Sequence, residues 1–175
     1  QVLLNARVTT NLPALSGGES FLHTSDAATE HQLSNGDTVS ADLYIDCTGT
    51  TRRSGNLLFV AGQIPMESGN MIATGSVPGR VSLETAQKCA VQCVLNALAA
   101  IKAEIGELNA IQQFVRLGVF VCSDPGFTEQ PKVANAASEL LVKLFGDRGR
   151  HARAAVGSVA LPLGAPVEIE FLVEV

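Results

Sequence analysis

The chain has 175 residues, 46% of them hydrophobic, and a formal net charge of −5. That length and apolar content suffice for one or at most two domains with a real core. The acidic balance, without a basic-aromatic patch, argues against a surface that neutralises phosphate backbones, so no nucleic-acid partner is expected.

No apolar run approaches the ~18 residues of a membrane span, and no basic segment followed by an apolar stretch opens the chain. The expectation is a cytoplasmic protein with no membrane partner, a mitochondrial location being the alternative. Cys47, Cys89, Cys93 and Cys122 form no CxxC motif. They read as reduced core thiols rather than metal or redox ligands, which suits a reducing compartment.

In chain order, residues 1–40 are rich in Ser, Thr, Asn, Asp and Gly, with a turn predicted at Asn35-Gly36-Asp37. SADLYIDCTGT then reads as a strand ended by Gly49. With the preceding VLLNARV…LSNGDTV, it resembles a strand near the end of the nucleotide-binding domain of FAD/NAD-dependent pyridine nucleotide-disulfide oxidoreductases. No GxGxxG motif occurs in the chain, so the phosphate-cradling turn of such a domain is missing. Residues 1–54 are therefore taken as an N-terminal extension or oxidoreductase-like fragment, and 55–175 as a separate domain.

GNLLFVAGQIP predicts a strand, MESGNMIATGSVPG a turn-rich stretch, and Ser82 the N-cap of a helix running to Gly106. The spacing of Ala86, Cys89, Ala90, Cys93, Ala97, Ala100, Ile101 and Ile105 makes a stripe of small residues that can lie close on a sheet. IQQFVRLGVFVCS is apolar on both faces, as in a strand covered on two sides. Thr128 and Pro131 mark a second helix, stopped by Gly146 and Gly149. ARAAVGSVAL and PVEIEFLVEV, on either side of Pro162-Leu163-Gly164-Ala165-Pro166, are expected to pair as a hairpin. The order predicts an α+β domain with both helices on one face of a mixed sheet. Ala155, Gly157 and Ala160 are assigned to the other face, too apolar to stay uncovered, so self-association is expected.

Arg153 sits in ARAAVGSVAL, a run otherwise made of Ala, Val, Gly and Leu with one Ser. A permanent charge there calls for an anionic partner. By spacing alone an ion pair with Glu168 or Glu170 and a bound anionic ligand are equal alternatives. His151 reads as a solvated loop histidine.

GNLLFVAGQIP, TAQKCAVQCVLNALAAI, RLGVFVCSDP, KVANAASELL and ARAAVGSVALPLGAPVEIE, in this order and spacing, resemble the reactive intermediate deaminase (Rid, or YjgF) family, often labelled endoribonuclease L-PSP. The resemblance covers residues ~55–175. It implies a chorismate-mutase-like (YjgF-like) α+β subunit assembling as a homotrimer with clefts between subunits. It further implies a hydrolase, a 2-iminobutanoate/2-iminopropanoate deaminase-like enzyme. Such an enzyme converts small carboxylate-bearing imines or enamines, such as 2-aminoacrylate, to 2-oxo acids and ammonia without a cofactor. Arg153 would hold the substrate carboxylate, Glu168 would orient or activate water, and the main chain at Gly62 and Gln63, with Asn135, would line the cleft. Ala61 and Ala155 replace polar residues common in active members, and ADLYIDCTGTTRRS replaces a first strand that usually brings an aromatic residue to the pocket. The alternatives are an endoribonuclease or translation inhibitor, as the older label says, and a non-catalytic trimeric small-acid-binding or chaperone-like module.

Overall fold

The computed structural model describes residues 51–175 and, ahead of them, the backbone of two short strands, β1 (His31–Gln32) and β2 (Thr38–Val39). These pair antiparallel on either side of the predicted Asn35-Gly36-Asp37 turn. That turn, Tyr44, Cys47 and the strand expected over residues 40–50 lie outside the described residues.

The main sheet begins with β3 (Thr51–Ser54), which returns as β4 (Leu57–Gln63). Four residues of ADLYIDCTGTTRRS thus form the edge of the sheet, with no aromatic side chain among them. The turn-rich stretch holds a minimal hairpin, β5 (Met66–Glu67) and β6 (Asn70–Met71). Helix α1 (Leu83–Ile105) starts where predicted: Ser82 Oγ accepts a hydrogen bond from the Thr85 amide at 3.2 Å, satisfying a donor the first turn would otherwise leave open. It ends at Gly106, whose φ of +85° suits a residue without Cβ. Strand β7 (Gln113–Cys122) is followed by α2 (Gln130–Phe145), β8 (Ala152–Ser158) and β9 (Val167–Glu174). Pro131 sits in the first turn of α2 as read, but the cap position is Glu129 rather than Thr128.

The strand order is β3-β4-β9-β7-β8. The expected β8–β9 hairpin does not form: β8 pairs parallel with β7, and β9 inserts antiparallel between β4 and β7. A parallel neighbour cannot be reached by a tight turn, and α2 supplies the crossover that carries the chain from β7 to β8. The burial patterns agree with these places. Every second residue of β9 is buried, as suits a central strand, whereas no residue of β8 is fully buried, as suits an edge.

Helix α1 packs on β4 and β9, α2 on β7 and β8, and the helices pack against each other. The layer between helices and sheet is the core, where Leu58, Val60, Leu117, Val119, Ile169 and Phe171 meet Ala90, Cys93, Ala97, Ala137 and Leu141. Phe114 and Phe145 close one end with ring centroids 5.0 Å apart. Cys89, Cys93 and Cys122 are buried free thiols, and desolvation lifts Cys89 to about 11.

Strand register assigns the two faces. Ala155 and Gly157 align with Val119 and Val121, both in the core, so they lie on the helix side. This corrects their assignment to the open face: a parallel neighbour shares its partner's facing, which isolated β8 residues do not reveal. The open face instead carries Phe59, Phe120, Val156 and Leu172, interleaved with Arg52, Arg116, Glu168 and Glu170. Phe59 is 48% and Val156 47% exposed, a mixed apolar and charged surface.

Candidate functional site

Arg153 aligns with the buried Leu117 of β7 and therefore projects to the helix side, at the outer edge of the sheet. Asn135 and Ser138, three residues apart on α2, share the helix face that meets it. His151 stands two residues before Arg153 in extended chain and so projects the same way. The four side chains form one chain of hydrogen bonds. Arg153 Nη1 donates to Ser138 Oγ (2.9 Å) and Nη2 to Asn135 Oδ1 (3.0 Å). Ser138 Oγ lies 3.0 Å from His151 Nε2, and His151 Nδ1 lies 2.7 Å from the Gly149 carbonyl.

Donor and acceptor roles follow from the ends of this chain. A carbonyl only accepts, so Nδ1 carries the hydrogen, and the Nε2 lone pair of the neutral ring accepts the Ser138 proton. Burial, the largest cause, holds His151 below its ordinary pKa; the Gly149 bond pulls it part of the way back up, and the charge of Arg153 adds a smaller downward push. The neutral ring is the form the network needs. Both of these partners of Arg153 are uncharged: they fix the guanidinium plane, and among the described residues no carboxylate answers its charge. The ion pair with Glu168 or Glu170 weighed from the sequence is not formed; Glu170 instead meets Arg116 at 3.4 Å.

Glu168 and Gly62 form a second group on the opposite face. The register of β4 against β9 shifts between Val60 and Gln63, and Glu168 folds its carboxylate onto Gly62 there. Desolvation, then the neighbouring charge of Glu170, raises the Glu168 carboxyl above the usual range. The Gln63 amide donates back to the Ala61 carbonyl at 3.0 Å. A depression of about 410 Å³ opens on the same face, lined by Arg52, Phe59, Ala61, Arg116, Glu170 and Leu172 among others. The structure therefore brings Arg153 to Asn135, and Glu168 to Gly62, but sets these two pairs on opposite faces of one sheet.

Three further polar residues matter that the sequence reading leaves outside the site; one of them, His151, read as a solvated loop histidine, is instead half-buried with both ring nitrogens hydrogen-bonded. Ser138 and His151 were legible in principle, since Asn-x-x-Ser on a helix and His-x-Arg in a strand each put two polar groups on one face. Asn96, 2% exposed, donates to the Ile64 and Met66 carbonyls at 2.9 and 3.1 Å and pins the chain just after Gln63. In sequence it is one amide in an apolar helix, with no signal of its carbonyl partners.

Among the described residues no group of His, Cys, Asp and Glu could hold a metal ion, and no helix is long and apolar enough to cross a membrane.

Residues 38–175 match a family described as "YjgF/chorismate mutase-like, putative endoribonuclease". Protein TCP17 of Trypanosoma cruzi is 43% identical over 122 residues, 69% of this chain and 76% of that protein. The crystal structure of Atu1372 from Agrobacterium tumefaciens, a protein of unknown function, is 47% identical with a TM-score of 0.71, covering 72% of this chain and 81% of that one. A Shewanella oneidensis structure described as a "putative endoribonuclease" is 26% identical with a TM-score of 0.73, covering 76% and 89%.

Proposed function

The chain belongs to the YjgF/chorismate mutase-like family, and from that premise we propose that it is a hydrolytic deaminase of small carboxylate-bearing imines and enamines. The observation that carries this reading is the state of Arg153. Its guanidinium is oriented by Ser138 and Asn135, both neutral, so among the described residues it is a prepared cation without a counter-charge. A planar carboxylate matches that fork, and a hydrogen bond to a charged group contributes about 1.5–3 kcal/mol where water is excluded.

The opposed faces of Arg153 and Glu168 are met by assembly. In a homotrimer with head-to-tail contacts, the Arg153 edge of one copy faces the Glu168 and Gly62 surface of the next, and each interface makes one cleft. The exposed Phe59 and Val156 are then covered.

Within the cleft Arg153 holds the carboxylate and places the imine carbon near Glu168. An enamine first takes a proton on carbon to become the imine. Glu168 accepts a proton from water as the water oxygen bonds to the imine carbon, and the nitrogen takes up a proton. Glu168 takes the hydroxyl proton of the resulting carbinolamine and a proton passes to its nitrogen, so that the C–N bond breaks to release ammonia and leave the 2-oxo acid. A carboxyl whose pKa is raised toward neutrality is suited to accept and return that proton. No redox step occurs, so the reaction needs no organic cofactor.

The test couples the purified protein to a pyridoxal-phosphate dehydratase that releases 2-aminoacrylate and follows ammonia and pyruvate. Wild type accelerates their release and Arg153→Ala does not; equal acceleration by both proteins overturns the reading. The endoribonuclease label carried by the Shewanella relative supplies a second reading. The net charge of −5 weighs against it, and steeply salt-dependent RNA cleavage by nuclease-free protein would favour it.

A further inference from the structure

We propose that Ser138 and His151 act as positioning residues for Arg153, and that together they preset its guanidinium for the flat end of a monocarboxylate. The inference deepens the deaminase reading and rests on it for the ligand class, but its geometric part stands apart from any turnover.

Arg153 belongs to an edge strand and is exposed, a setting in which a long side chain ordinarily samples many rotamers at little cost. Here, with the imidazole neutral, the relay from the Gly149 carbonyl through His151 and Ser138 has only one self-consistent assignment. His151 Nδ1 donates to Gly149, Ser138 donates to His151 Nε2, and the Ser138 oxygen is left with lone pairs facing Arg153. The hydroxyl cannot turn its proton toward the guanidinium without breaking its bond to the ring. Ser138 is thereby held as an acceptor, which is the role a guanidinium requires.

The count of donors then defines the ligand. A guanidinium has five N–H groups, and Ser138 and Asn135 take one from each terminal nitrogen. Nε–H and one N–H on each terminal nitrogen remain, and two adjacent, coplanar donors fit the two oxygens of one carboxylate. Ala155, two residues farther along the same strand face, adds no further donor from its side chain. The site is thus built for a single planar anion rather than for a ligand needing several charged contacts.

The experiment uses full-length protein labelled with ¹⁵N-arginine and compares wild type with Ser138→Ala, Ser138→Thr and His151→Phe. Rotation about the Arg153 Nε–Cζ bond is read from its terminal NH₂ signals, and affinity from titration with 2-oxobutyrate. Ser138→Ala and His151→Phe should accelerate the rotation and weaken 2-oxobutyrate roughly three- to tenfold, the effect of one ordinary hydrogen bond. Ser138→Thr, which keeps the hydroxyl, should restore both to within about twofold of wild type. Unchanged rotation in Ser138→Ala and His151→Phe overturns the positioning role. Faster rotation in those variants, in a protein that binds no 2-oxobutyrate even as wild type, keeps the positioning relay and overturns the carboxylate reading instead.

Discussion

A methyl group built on Gly62 would stand 1.8 Å from Glu168 Oε1, so the carboxylate occupies room that only glycine leaves on β4. The clash is with the far end of a flexible side chain rather than with backbone. Gly62→Ala should therefore displace Glu168 while changing stability by no more than about 1 kcal/mol. Thermal melting should stay within a few degrees of wild type, and 2-aminoacrylate hydrolysis should fall at least tenfold, since general acid–base contributions are of order 10²–10⁴.

Glu168 predicts a pH signature in stability. Its carboxyl is raised in the folded protein by desolvation and by Glu170, so folding favours the protonated form. That favourable contribution is present below the unfolded value of about 4.5 and is lost as pH rises through the higher folded value. Glu168→Gln keeps the neutral shape at all pH values. It should raise the melting temperature at pH 7 and make little difference near pH 4; a variant no more stable than wild type at pH 7 contradicts the shift.

Asn96 is a structural prediction with a functional consequence. Asn96→Ala leaves the Ile64 and Met66 carbonyls buried without their donor and should cost about 2–4 kcal/mol, measured by urea unfolding. Asn96→Leu fills the space but restores no donor, so it should remain destabilised. Because these carbonyls follow Gly62 and Gln63 directly, hydrolysis should suffer even under conditions where the variant is fully folded.

The buried thiols should be inert. Cys93 is fully buried and raised well above its ordinary value, first by desolvation, and Cys89 is raised to about 11 by the same cause. Maleimide at pH 8 should label neither in the native protein and both in urea, as mapped by peptide mass spectrometry.

The helices, strands β4, β7 and β9 and the α+β class were legible because their signals are local: periodic apolar stripes, the Ser82 cap, the Gly106 stop. The position of β8 was not, because adjacency in sequence favours a hairpin with β9, and only the crossover through α2 decides against it. The face of Ala155 and Gly157 was not legible either, because it is set by their parallel register with Val119 and Val121 of β7. Arg153 and Asn135, which the sequence reading names through the family resemblance, stand within a hydrogen bond of each other. What sequence spacing did not convey is that Glu168, fifteen residues later, projects from the other side of the sheet. A strand's alternation gives relative facing within that strand, and the facing of separate strands is fixed only by their register.

The most direct measurement mixes two inactive variants, Arg153→Ala and Glu168→Gln, after mild dissociation and reassembly, and assays 2-aminoacrylate hydrolysis. If each cleft takes its arginine from one copy and its glutamate from the next, random assortment in a head-to-tail trimer rebuilds about one quarter of the clefts. Activity should return toward that fraction of wild type. Mixed assemblies that form, as native mass spectrometry would reveal, yet stay as inactive as either parent contradict a cleft shared between neighbouring copies.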